Sequence, residues 1–161
     1  MTRTSTSWSG CWGCNKTPFM PRQDTKLESE GAEFLVLGHL LMHRIVSYKA
    51  NTNMPGYDLV AINPDENTSA RIQVKSRWRT NAPGFIIKNF DCDFVVIVRL
   101  NRGKKGGTGV VKLPEYFVVP VNVIESAPRT KDWGRVNFNK IPGFDSYRDR
   151  WNLISEFLSA S

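Results

Sequence analysis

The chain of 161 residues has only three cysteines and two histidines, and each shortage excludes a class of protein. Three cysteines cannot close into a complete disulfide framework, because one is always left over. Cys11-Trp12-Gly13-Cys14 is half of a zinc motif. A structural site needs two further nitrogen or sulfur ligands, and only His39, His43 and Cys92 remain to supply them. A redox pair belongs at the strand-to-helix junction of a thioredoxin-like unit, and the neighbouring sequence offers none. The pair is therefore read as incidental. No apolar run approaches the ~20 residues that span a bilayer. The N-terminus lacks a charged-then-apolar leader, so a cytoplasmic location is expected. No internal repeat is visible. Arg102 to Gly109 (RGKKGGTG) is rich in glycine and lysine, but lacks the GxxxxGK[ST] order of a nucleotide-cradling loop.

What is present fits one ordinary folded domain. The length suffices for a real core, and 40% hydrophobic residues exclude a disordered chain. The net charge of +7 points weakly to a polyanionic partner. Its distribution says more: Lys75, Arg77 and Arg79 are successive alternate residues, and Arg99, Arg102, Lys104, Lys105 and Lys112 surround the glycine-rich turn.

Residues 1–24 are Ser-, Thr-, Gly- and Pro-rich without periodicity and read as a disordered arm; residues 25–161 read as a single domain. Thr25 with Glu28 makes a capping-box pattern for a helix over 26–43. Its expected inner face is Leu27, Phe34, Leu35, Leu37, Leu40 and Leu41. Strands are expected at 44–49, 57–63, 70–78, 85–88, 93–100 and 116–121. The apolar run 93–100 predicts a strand buried on both faces, and Pro120 places the last strand at a sheet edge. Residues 126–143 read as polar and irregular. Ser146 is expected to cap a final helix to about 158, with Tyr147, Trp151, Ile154 and Leu158 inward. The sum is a mixed α/β or α+β fold, a central mixed sheet flanked by helices.

The chemistry concentrates in Tyr57 to Ile62 and Arg71 to Arg77, which read as a hairpin. Residues two apart on a strand share a face, so Gln73 and Lys75 project together while Ile72 and Val74 face the other way. Asp58 offers the hard anionic oxygen that Mg²⁺ prefers, Gln73 a neutral oxygen, and Ile72 or Val74 a backbone carbonyl. Lys75 can orient water and offset phosphate charge. A carboxylate from the first helix could complete the shell. Each residue also has a plain structural role open to it: turn closure for Asp58, a backbone bond for Gln73, a solvated strand position for Lys75.

The succession of helix with Glu, strand, Gly-x-Asp-hydrophobic strand, and hydrophobic-Gln-x-Lys-Ser resembles the PD-(D/E)XK nuclease superfamily. It is most similar to Mrr-like restriction endonucleases and archaeal Holliday-junction resolvases. The resemblance implies a restriction-endonuclease-like αβββαβ core, Mg²⁺-dependent DNA cleavage in which Mn²⁺ can substitute, and a frequent homodimer. It assigns Asp58 to the first acid, Gln73 to the (D/E) position, Lys75 to the lysine, and Glu33 to the acid of the first helix, with Glu30 as second choice. Glu33, Asp58, Gln73 and Lys75 then form the catalytic set, and Asp58, Gln73, Glu33 and Val74 the metal ligands. Arg77, Arg79, Lys104 and Lys105 are the expected DNA contacts. Two departures stand out: Gln73 replaces the usual carboxylate, as in the Mrr-like branch, and no clear helix lies between Arg77 and the 93–100 strand. A non-catalytic nucleic-acid-binding module, and more distantly a protein–protein adaptor, remain alternatives to the endonuclease.

Overall fold

The computed structural model describes residues 25–51 and 56–160. The expectations for the arm over 1–24, including Cys11 and Cys14, lie outside them. Among the described residues the order is α1 (Thr25–Met42), β1 (Val46–Lys49), β2 (Leu59–Asn63), β3 (Thr68–Arg77), β4 (Gly84–Ile86), β5 (Phe94–Arg99), β6 (Glu115–Pro120), α2 (Val121–Ser126), β7 (Arg135–Asn137) and α3 (Asn152–Ser159). Short 3-10 turns occupy Phe138–Lys140 and Phe144–Tyr147.

Five strands form one mixed sheet in the order β1-β2-β3-β5-β6, and β4 pairs with β7 in a separate two-stranded sheet. All neighbours in the larger sheet are antiparallel except β3 and β5, which run parallel from Ile72 opposite Phe94 to Arg77 opposite Arg99. The crossover between them carries β4 and no helix, as the sequence suggested. Gly84 is required there: a Cβ at this position would lie 2.0 Å from the Val136 carbonyl oxygen, so only glycine lets β4 approach β7.

Strand alternation sorts the apolar residues onto two faces. Ile72, Val74, Phe94, Val96 and Val98 pack with Ala32, Val36 and Leu40 of α1 and with Ile154 and Leu158 of α3. Val95, Ile97, Phe117 and Val119 pack on the other face with Phe85, Ile124, Val136, Phe138, Ile141 and Phe144. β5 is therefore buried on both sides, as its unbroken apolar run predicted. Pro120 ends β6 at a sheet edge, where a missing N–H costs no ladder bond.

Three expectations are corrected. The buried stripe of α1 is Ala32, Val36 and Leu40, four residues apart, whereas Leu27 and Phe34 are 71% and 56% exposed and Leu35 and Leu41 also face outward. Small side chains let the helix sit close to the sheet, and the large ones are left on its far side. Residues 126–143 are not merely polar loop: α2, β7 and the first 3-10 turn put Val136, Phe138 and Ile141 into the second core. Ser146 caps no helix; its hydroxyl donates to the Gly143 carbonyl at 2.6 Å, and α3 begins at Asn152. Tyr147 packs with the second core instead of the inner stripe of α3.

α3 is fixed at both ends. At its C-terminus, where helical carbonyls lack partners, the Leu158 oxygen accepts from the Thr68 hydroxyl at 2.6 Å and from Asn63 Nδ2 at 3.3 Å. Before its first turn, Trp151 is 2% exposed and stacks with His39 at 5.1 Å and His43 at 5.8 Å, beside Tyr116 at 5.9 Å. This stack joins α1, β6 and α3. Trp151→Ala should cost about 3–5 kcal/mol of unfolding free energy. Urea unfolding followed by circular dichroism measures this, and a loss under about 1 kcal/mol would show that the stack is not a structural joint.

Candidate active site

The site forms where β2 stops pairing with β3. The last regular pair is Leu59 opposite Ile72. One residue earlier, the Asp58 N–H still donates to the Ile72 carbonyl at 2.9 Å, and the Asp58 carbonyl accepts from Ala50 of the neighbouring strand segment at 2.9 Å. Beyond that point the ladder is continued by a side chain: Asp58 Oδ2 accepts from the Val74 N–H at 2.7 Å. A backbone N–H and C=O of one strand residue leave on the same side, so the Val74 carbonyl is directed toward this same gap. Asp58 thus has one oxygen anchored and one left to act.

Gln73 and Lys75 flank Val74 and lie opposite Val95 and Ile97 of β5, on the face away from α1. Gln73 is 7% exposed, and its Oε1 is buried with no hydrogen-bond partner among the described residues. A buried amide oxygen without a donor is costly, by about 1–3 kcal/mol. Lys75 is also largely removed from water: burial pulls its pKa below the ordinary lysine range, with the negative charge of Asp58 the main opposing influence and Glu33 a smaller one.

Glu33 reaches this region from α1 and is half-buried. Burial raises its pKa, and the nearby charge of Asp58 raises it further, while a hydrogen bond from Lys49 opposes both. Lys49 Nζ lies 3.1 Å from Glu33 Oε2, forms a close ion pair with Glu30, and rests 4.7 Å from the centre of the Phe34 ring. The structure therefore brings Asp58, Gln73, Val74 and Lys75 to one place, with Glu33 in electrostatic reach but engaged by Lys49. Phe34, expected to anchor the helix in the core, instead covers this ammonium from outside. Sequence reasoning did not single out Lys49, because its partners stand 16 and 19 residues away and only the α1–β1 packing brings them together.

The donor set is two carboxylates, one amide oxygen and one backbone carbonyl. That all-oxygen composition suits a hard divalent cation such as Mg²⁺. Among the described residues no group of three or more His, Cys, Asp or Glu side chains stands together, which makes the neutral Gln73 and Val74 oxygens necessary to any such ligation. Cys92 is not part of it; burial pushes its thiol up to about 11, and it packs in the second core.

The four basic residues proposed for DNA lie in different settings. Arg77 is half-buried, with Nε donating to the Gly84 carbonyl at 2.7 Å, and burial lowers its pKa. Arg79, Lys104 and Lys105 are exposed. The glycine-rich turn is tied to the end of β3: Thr80 donates its N–H to the Gly103 carbonyl at 3.2 Å and its hydroxyl to the Val110 carbonyl at 2.7 Å. Lys104 and Lys105 are thereby held beyond the C-terminal ends of the parallel pair β3 and β5.

No protein-family model matches the chain, and no curated protein does. Among solved structures it is similar to a bacterial homing endonuclease, I-Ssp6803I, at 25% sequence identity and a TM-score of 0.57, over 85% of this chain and 96% of that one. The fold is that of a nuclease, and among the described residues no helix is long and apolar enough to cross a membrane.

Because its folded-state pKa is lowered, Lys75 weakens the fold while it must carry a proton. The unfolded chain then holds more protons between the folded pKa and the ordinary value of 10.5, and stability from this group rises with pH across that window. Lys75→Met should therefore be more stable than the parent at neutral pH, with the advantage shrinking as pH approaches 10.5. Paired denaturation curves across the alkaline range test this, and a variant less stable at neutral pH would contradict it.

Proposed function

We propose that this chain is a Mg²⁺-dependent endonuclease that hydrolyses DNA phosphodiester bonds, Mn²⁺ substituting. The observation that carries the reading is the Asp58 carboxylate pinned by one oxygen to the N–H of Val74, whose strand neighbour Gln73 holds a buried Oε1 with no partner among the described residues. An oxygen-lined gap of this kind has a use for a cation, and the likeness to a homing endonuclease is consistent with that use. The pattern Asp58, Gln73-x-Lys75 supports membership in the Gln variant of the PD-(D/E)XK group.

In this reading Asp58, Gln73, the Val74 carbonyl and Glu33 hold the ion, which when bound lowers the pKa of a water and offsets charge developing on the phosphate. The protein's own groups do the positioning. Asp58 cannot rotate freely while the Val74 N–H holds it, so its second oxygen keeps one direction. Lys75, short of water, gives its charge to the nearest anion, and a phosphate entering the gap is that anion. Its lowered pKa also brings it nearer to exchanging a proton with the attacking water. Glu33 must share itself between this site and Lys49. Arg79, Lys104 and Lys105 would hold the DNA backbone, with Arg77 bracing β4 beneath them.

A non-catalytic DNA-binding module is the second reading. It is favoured by one observation, the Lys49–Glu33 ion pair, which already neutralises one of the two carboxylates. Cleavage of plasmid, junction and single-stranded substrates with Mg²⁺, Mn²⁺ or EDTA, alongside calorimetric titration with each ion, separates the two.

On the first reading Asp58→Ala abolishes both metal binding and cleavage. Lys75→Ala keeps metal binding but slows cleavage by about 10²-fold or more. Gln73→Glu tightens Mg²⁺ binding, with cleavage kept or raised. A parent that binds neither ion and cuts no DNA form would overturn the endonuclease.

DNA binding itself should follow salt. Replacing Lys104 and Lys105 together by Ala should reduce the slope of log K against log[salt] by about two units, roughly one per phosphate contact. An unchanged slope would remove this turn from the binding surface.

A further inference from the structure

The outer face of α1 carries a second pattern, directly opposite the buried Ala32, Val36 and Leu40. Leu27, Gly31, Phe34, Gly38 and Leu41 recur at intervals of four, three, four and three residues, the seam spacing of paired helices. The large members are exposed: Leu27 71%, Phe34 56% and Leu41 52%, with Met42 beside them at 72%. The glycines face open space, since a Cβ at Gly31 or Gly38 meets no atom within 4 Å. Glycine in an exposed helix interior costs about 1 kcal/mol relative to alanine, and nothing among the described residues requires it at either position.

Charge is divided along the same helix. Lys26, Glu28, Glu30 and Glu33 occupy its N-terminal half, where acids predominate; the stretch from Phe34 to Ile45 contains no acid and carries Arg44, its two histidines being turned to Trp151. A parallel partner would set acid against acid. An antiparallel one sets each acidic end against a basic end and aligns the helix dipoles favourably.

We propose that this face packs against α1 of a second copy of the chain, antiparallel about a two-fold axis near Val36. In that register Phe34 covers the partner's Gly38 and Leu41 covers the partner's Gly31, each large side chain filling the space a glycine leaves. Both contacts occur twice, as an isologous interface requires. The same register brings the end bearing Glu28 and Glu30 to the partner's exposed Arg44. The dimer rests on the surface of α1 alone and stands whether or not the chain cleaves DNA.

Sedimentation equilibrium at micromolar concentrations should give about twice the 18.3 kDa chain mass. Phe34→Glu should weaken association by about thirtyfold or more, the effect of losing a central aromatic anchor. Gly38→Leu is the sharper variant: it has free space among the described residues and raises helix propensity, so an unpartnered face would leave it a monomer of equal or greater stability. Here it should dissociate a dimer while circular dichroism and unfolding midpoint show the chain folded. Direction is read with a short bismaleimide in a Cys11→Ser, Cys14→Ser background. Leu35→Cys, near the axis, should cross-link between chains. Leu27→Cys should not, because it lies nine residues from the axis in each chain, and eighteen residues at 1.5 Å each place it ~27 Å from its copy. A monomeric parent, an undisturbed dimer in Gly38→Leu, or efficient cross-linking through Leu27→Cys would each overturn the proposal.

Discussion

The hydrogen bond from the Val74 N–H to Asp58 Oδ2 organises the site. Without it β2 would either continue its ladder and close the gap or release β3 into solvent. With it, a carboxylate stands in for a backbone carbonyl at the last position of the pairing, and the sheet opens one residue early without leaving the Val74 N–H unsatisfied. Three consequences follow from the strand geometry alone. The Val74 carbonyl faces the opening, Gln73 and Lys75 fall on one side of the sheet, and Asp58 is held with one oxygen free for chemistry.

The hairpin and its polar residues were legible in the sequence because both depend on local alternation. Asp58 precedes an apolar run, and Gln73 and Lys75 interrupt one at a spacing of two, which is the only spacing that keeps them together on a strand. β5 was legible for the same reason, its unbroken apolar run matching burial on both faces. The inner face of α1 was not. Side-chain size pointed to Phe34 and Leu35, yet proximity to the sheet selects Ala32 and Val36, and no local count distinguishes a face that packs closely from one that packs with bulk. The segment 126–143 was illegible for another reason. Val136, Phe138, Ile141 and Phe144 are buried from a short strand and 3-10 turns, which impose no sustained period.

The positive charge of the chain is of two kinds, and composition alone merges them. Arg99 is enclosed by aromatic rings, with its guanidinium 4.4 Å from the Phe138 centre and 5.0 Å from that of Phe117, and it faces Glu115. Arg77 braces β4 through the Gly84 carbonyl. These two hold the second core and the small sheet in place. Arg79, Lys104 and Lys105 are exposed instead, and so keep their charge available to a partner in water.

The same division operates within the site. Glu30, Glu33 and Asp58 stand with Lys49 and Lys75, so the acids exceed the ammoniums by only one, fewer than the two charges of a divalent ion. A divalent cation entering it would raise the charge unless an anion entered as well, and with Gln73 in place of a carboxylate the protein does not supply that anion. Under the endonuclease reading the missing charge belongs to the phosphate of the substrate. Metal and DNA then favour each other's binding, since each neutralises the surplus the other creates. The raised pKa of Glu33 points the same way: burial already works against its ionised form, and Lys49 is the group that opposes this. Exchange of Lys49 for a metal ion would leave the charge of Glu33 satisfied and free the ammonium for Glu30, with which it is already paired. Under the endonuclease reading, a neutral amide at position 73 thus makes the site one that fills only when its substrate arrives.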